Sequence, residues 1–301
     1  MTVRAVDRST FTPARRRALW HGLIIAGLVF NATLLVFWLP DLFIWIDAVA
    51  WRSLDVANPY ASAQGAIDRI GAFLYPPPAV YLFAPLAWLP WAVFAPLFLG
   101  LNLAAVVLLT GRRAAIALLA FPPVLLELLN GNIHLLMAAA IWLGFRWPAA
   151  WSFVLLTKVT PGVGALWFAF RREWRSFAIA VAVTGVICLV TFIATPTLWM
   201  DWFGLMVGAT PRPSLLPPLL VRVPAAIALI WFAARTDRAW LVPVACLLAM
   251  PTIWIQSTAL LLASFPLYWE RERFRTGARP LAATTARNAT LVRAPEPEGN
   301  A

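Results

Sequence analysis

Apolar residues come in runs of about 15 to 25, repeated from Ala18 to Trp269 and separated by short polar or basic breaks. The first, Ala18 to Trp38, follows Arg15-Arg16-Arg17 and reaches the roughly 20 residues, at about 1.5 Å each, that a helix needs to cross a bilayer core. It ends in Phe37-Trp38-Leu39-Pro40 rather than in small residues, which predicts a retained span and not a cleaved signal peptide. Further spans are expected at 91–109, 114–129, 131–145, 149–159, 161–170, 176–195, 215–234, 239–250 and 253–269, about ten crossings in all, several of them short. Between the first two lies a long segment in which Leu42, Trp45, Ile46 and Val49 repeat at helical spacing, predicting an amphipathic helix along the membrane surface. Asp41 borders that stripe at the helix start, whereas Asp47 is expected on the opposite, watery side. Next, Tyr75-Pro76-Pro77-Pro78 disfavours helix before it and predicts a rigid turn back into the membrane, with Tyr75, Tyr81 and Trp88 suited to the interface.

Composition agrees: the 301 residues are 62% hydrophobic and 12% charged, which excludes a single soluble globule. The formal charge of +11 would suit nucleic acid if the arginines shared one polar surface, but they sit in the breaks between apolar runs. Nineteen arginines fall on one side of the expected topology, and only Arg52, Arg69, Arg212 and Arg222 on the other. Both termini are therefore expected in the cytoplasm. The expected organisation is a cytoplasmic tail over 1–17, a polytopic domain over 18–270 with its external loop at 39–75, and a disordered cytoplasmic tail over 271–301. Cys188 and Cys246 lie inside apolar runs and offer neither zinc spacing nor redox chemistry.

Acidic residues are scarce, yet Asp41, Asp47, Asp55 and Asp68 gather in the external loop. They either solvate the loop or do chemistry. Asp41 can also cap the helix after Pro40, which does not conflict with catalysis. Lys158 is the only lysine and lies in the apolar run from Trp147 to Phe170; intramembrane charges usually face an interior site, although a lysine can snorkel to the surface. Asn132 and His134 are polar on a turn between spans, where they either line a pocket or bond neighbouring helices. Glu127, one turn earlier, faces a cavity or caps the helix end, and His21 is remote at the cytoplasmic end of the first span.

In order and spacing, several segments resemble glycosyltransferase family 87: Asp41-Leu-Phe-Ile-Trp-Ile-Asp-Ala, Asn58-Pro59-Tyr60, Leu74-Tyr75-Pro76-Pro77 and Ala84-Pro85-Leu86-Ala87-Trp88-Leu89-Pro90. Gly131-Asn132-Ile133-His134 sits where that family usually shows Gly-Gln-x-Asn, and Lys158-Val159-Thr160-Pro161 matches its Lys-x-x-Pro. The likeness covers roughly Trp38 to Arg175 well and the C-terminal third weakly.

This resemblance implies an all-α integral membrane enzyme of the GT-C superfamily, with a multi-span fold and an external interfacial helix in the first loop. It implies transfer of a hexose, mannose in the bacterial members, from a polyprenyl-phosphate donor to a lipid or glycan acceptor at the outer face of the plasma membrane. Asp41 takes the family's general-base position, with Asp47 as runner-up. Lys158 becomes a cation for the donor phosphate, with Arg69, Arg212 and Arg222 as alternatives. Tyr75, Asn132, His134 and Gln256 are expected in the donor or acceptor pocket. Gln256 marks a departure, since a His often stands there, and Gln cannot carry a proton. No cofactor or metal is expected: there is no Walker A loop, no His-Glu-x-x-His and no Asp-rich module for a nucleotide sugar. The competing classes are a transporter or flippase, which needs polar residues through the spans, and an inactive scaffold of the same fold. Acceptor and oligomeric state are not legible.

Overall fold

A computed structural model describes residues 13–38, 45–63, 72–208 and 216–270. Among them the regular structure is entirely helical. The helices are α1 (Pro13–Thr33, continued by a π-turn at Leu34–Trp38), α2 (Ile46–Arg52), α3 (Pro77–Ala87), α4 (Trp91–Thr110), α5 (Ala114–Ala120), α6 (Pro122–Asn130) and α7 (His134–Gly144). They continue as α8 (Trp151–Thr157), α9 (Leu166–Phe170), α10 (Trp174–Ala194), α11 (Pro196–Gly208), α12 (Leu219–Arg235), α13 (Val242–Leu248) and α14 (Ser264–Trp269), with 3-10 turns between several. Proline sets several of these boundaries: Pro77, Pro122 and Pro148 each stand in the first turn of a new helix, where a missing N–H costs nothing, and Pro122 also ends α5 just before it.

Among the described residues three segments are long and apolar enough to cross a membrane: Arg17–Phe37, Trp91–Ala120 and Trp174–Ala194. The pair α6 and α7, bent by 116° at its break, makes a fourth if counted as one span. About ten full-length crossings are not seen; the other apolar runs form shorter helices such as Pro77–Ala87, Pro148–Thr157, Thr160–Phe170 and Ala239–Leu248. The turn expected at Arg112-Arg113 is a 3-10 turn opening on Gly111, whose φ of 55° only glycine adopts cheaply.

At the centre lies α7, where Leu135, Met137, Ala138 and Ile141 are fully buried against α4, α8 and the 3-10 helix Gln256–Ala263. Small residues set the close approaches, as expected where lipid supplies no hydrophobic drive between helices. A Cβ on Gly27 would fall 1.8 Å from the Ala120 carbonyl oxygen, and beside it Asn31 Nδ2 donates to the Leu119 carbonyl at 2.7 Å. By contrast α10 buries only Ala180 and Thr191; one side packs on α3, α8 and α9 and the other is exposed, as in a helix at the lipid boundary.

The segment that holds α2 differs from its expected orientation. In α2 the inward face is Ala48, Ala50 and Trp51, while Val49 of the apolar stripe is exposed. Asp47 is half-buried and turns toward the helices rather than to water. An apolar stripe marks a face that avoids water, but the residues of this short helix that the protein buries are Ala48, Ala50 and Trp51, and spacing alone does not single them out.

Candidate active site

The break between α6 and α7 organises the polar residues. Gly131 has φ 64° and ψ 42°, a left-handed conformation that ends α6, and the Gly131 N–H donates to the Glu127 carbonyl at 2.9 Å. A Cβ at Gly131 would lie 2.6 Å from Ala48 Cβ and 3.0 Å from Trp45, so glycine is also what lets α2 dock on the turn. Two bonds hold that docking: the Trp45 N–H donates to the Leu129 carbonyl at 2.6 Å, and Trp51 Nε1 donates to the Gly131 carbonyl at 3.3 Å. Trp45 adopts φ 66°, unfavourable for a tryptophan, and its edge contacts with Trp91 and Phe94 of α4 help offset the strain.

On this turn Asn132 satisfies both ends of its amide. Its oxygen accepts the Ile133 N–H at 2.7 Å, and its nitrogen donates to Asp47 Oδ2 at 2.5 Å. Glu127, fully buried, accepts the His134 backbone N–H at 2.5 Å through one oxygen and meets His134 Nδ1 at 2.9 Å through the other. His134 Nε2 in turn lies 2.7 Å from Lys158 Nζ. Lys158 sits in extended backbone just past α8, where the helix stops before the 3-10 turn Thr160–Ala165. Two helix breaks, distant in sequence, thus bring two carboxylates, an imidazole, an amide and the single lysine together.

Tyr75 borders the same space. Its ring lies 4.4 Å from that of Trp51 and 5.3 Å from that of Phe73, and its carbonyl accepts the Tyr60 hydroxyl at 2.9 Å. Burial first, then the charges of Asp47 and Glu127, push the Tyr75 phenol well above its ordinary range, so it remains a neutral donor. Burial likewise raises the Asp47 carboxyl, against the opposing pull of the Asn132 amide and the Lys158 charge.

Other sequence candidates lie apart. Gln256 is half-buried at the start of the 3-10 helix that packs on α6 and α7. Arg222, an alternative cation for the donor phosphate, is buried and donates to the carbonyls of Pro217, Leu248, Met250 and Pro251, which clasps the chain leading to Gln256. Asp55 accepts the Ala57 N–H in an exposed turn. Asp41, Asp68, Arg69 and Arg212 lie outside the described residues. Among the described residues no group of three His, Cys, Asp or Glu side chains is placed to hold a metal. Sequence reasoning underrated Glu127; its signal was that no other acidic residue occurs between Asp68 and Glu173.

The family model of glycosyltransferase family 87 matches residues 73–292, which include the turn, the lysine and Gln256. No curated protein and no solved structure matches the chain.

Proposed function

Because the chain belongs to glycosyltransferase family 87, whose model spans well over half of it, we propose that this membrane glycosyltransferase moves a hexose, mannose in our reading, from a polyprenyl-phosphate donor to a lipid or glycan acceptor. The reaction takes place at the extracytoplasmic face of the plasma membrane, with both termini in the cytoplasm. What carries this reading is the position of Lys158: the only lysine of the chain stands among polar groups at a helix break within apolar sequence. A compact ammonium there suits a phosphate oxygen.

Transfer needs a carboxylate to take the acceptor proton as the anomeric carbon is attacked from the face opposite the phosphate. We assign that role to Asp41, four positions before Trp45, whose N–H is bonded at the Gly131 turn. One displacement inverts the anomer, so a β-linked donor yields an α-linked product. The leaving group is already an anionic phosphate, and no second carboxylate is required as acid, in contrast to glycoside hydrolysis. Asp47 is the second reading for the base, favoured by its hydrogen bond from Asn132 beside the lysine. Tyr75, Asn132 and Gln256 serve as hydrogen-bonding walls for donor or acceptor.

Incubating the purified protein with radiolabelled polyprenyl-phosphate-mannose and total membrane lipid tests the reading. Label is expected in a new lipid or glycan product, and its absence, with nucleotide sugars giving transfer instead, would overturn the lipid-phosphate assignment.

A further inference from the structure

We propose that Glu127 and His134 are positioning residues for Lys158, together fixing the direction in which the lysine offers its protons to the donor phosphate; the inference rests on the lipid-phosphate reading above. With Glu127 ionised and Lys158 an ammonium, the chain of contacts allows one arrangement of protons. An ionised carboxylate has no proton to give, so His134 Nδ1, 2.9 Å from Glu127 Oε2, must carry the hydrogen. A neutral imidazole protonated at Nδ1 presents a lone pair at Nε2, and the ammonium 2.7 Å away donates into it. The other tautomer, or a doubly protonated ring, would set donor against donor at that contact.

The consequence for Lys158 is directional. One of its three protons is taken by His134, and among the described residues no other group shares a hydrogen bond with the ammonium. Two protons remain for an anion, on a side chain whose free rotation has been removed before the ligand arrives. His134 is then a bridge: the negative charge of Glu127, fully buried, reaches the lysine through an imidazole that is itself only 1% exposed. Paired this way, neither buried charge stands alone in an apolar surrounding.

A purely structural role for Glu127 is the rival account, since its other oxygen accepts the first N–H of α7. Glu127→Gln separates the two, because the amide oxygen still accepts that N–H while the fixed partner for Nδ1–H is lost. The chain has one lysine and two histidines, so in a His21→Gln background the lysine gives one side-chain signal and the remaining imidazole one pair when 15N-labelled lysine and histidine are incorporated. In lipid nanodiscs, His134 is expected to show the pattern of an imidazole protonated at Nδ1, and Glu127→Gln to move it toward Nε2 protonation with little change in unfolding temperature. A His134 already protonated at Nε2, or an unmoved signal in Glu127→Gln, overturns the pair.

Titration with polyprenyl phosphate, the donor without its sugar, supplies the second readout. The Lys158 signal should move on binding, and Glu127→Gln should weaken binding on the order of tenfold. In a Lys158→Met background, followed through the His134 signal, the same substitution should weaken it no further. Equal losses in both backgrounds would mean that Glu127 acts on the fold and not through the lysine. A phosphate that leaves Lys158 unmoved, with His134 in the expected tautomer, overturns the lipid-phosphate reading and the phosphate half of this proposal, a result distinct from the wrong tautomer.

Discussion

Asn132 Nδ2 donates to Asp47 Oδ2 across 2.5 Å, and through that bond the short helix α2 is tied to a break between two apolar helices. This helix and the turn therefore form one unit, joined also by Trp51 on the Gly131 carbonyl and by Trp45 on Leu129. A change at either side should be felt at the other.

Gly131→Ala should disturb both at once. The substitution places a Cβ in a left-handed conformation, about 1 to 2 kcal/mol, and 2.6 Å from Ala48 Cβ, where overpacking adds about 1 to 3 kcal/mol. A lowered unfolding temperature together with lost transfer is expected. Wild-type thermal stability in detergent would show that α2 does not depend on this contact.

Asp41→Asn and Asp47→Asn separate the two carboxylates. Both retain a side-chain oxygen, so yield should be near wild type, and Asn at 47 can still accept from Asn132. Loss of the base should lower kcat on the order of 10²- to 10⁴-fold in Asp41→Asn and leave most activity in Asp47→Asn. The reverse pattern in the lipid-transfer assay moves the base to Asp47.

Stability should report the raised carboxyl of Asp47. Because its folded pKa lies above 3.8, ionised Asp47 opposes folding at pH above that raised value, and the penalty disappears as pH falls toward 3.8. Asp47→Asn should therefore stabilise the protein slightly at pH 7, with the gain shrinking on acidification. A gain that grows toward acid pH contradicts the sign of the shift.

Lys158→Met leaves the buried Glu127–His134 pair without its cation, so a lowered unfolding temperature is expected, and in the folded protein it should raise donor KM. A hydrogen bond to a charged group contributes about 1.5 to 3 kcal/mol, so a rise of roughly 10- to 100-fold is expected. Initial rates across donor concentrations check it, and an unchanged KM returns Lys158 to a surface-seeking role.

Orientation is testable without any substrate. Ser53, exposed at the end of α2, and Thr236, exposed at the end of α12, fall on opposite sides of the expected topology. Ser53→Cys should react with an impermeant thiol reagent added to intact cells above the background of the unaltered chain, and Thr236→Cys only after lysis. Reversed labelling would place the Gly131 turn in the cytoplasm.

Much of the site was legible because its residues are out of place in apolar sequence: a solitary lysine, a polar turn at Gly131, a proline run after Tyr75. Helicity was legible from the same runs. Span number was not, because run length says how much chain is apolar, whereas Pro122, Pro148 and 3-10 turns decide where it bends. Glu127 and Arg222 were misjudged for one reason. Their partners are a backbone N–H, an imidazole and four carbonyls brought close only by tertiary packing, and spacing along the chain carries no trace of them. Asp47 was placed on the wrong face because its partner, Asn132, lies 85 positions away in the sequence.

The break before α7 also orients an electric field. An α-helix carries about half a positive charge at its N-terminus, and α7 begins at His134, with that end directed at Glu127 and next to Lys158. Unlike an ammonium on a flexible stem, this partial charge belongs to the backbone and neither titrates nor rotates away. Lys158→Met therefore leaves only this fixed partial charge, already facing the Glu127 carboxylate, and the variant should hold an anionic lipid far more weakly than the unaltered protein.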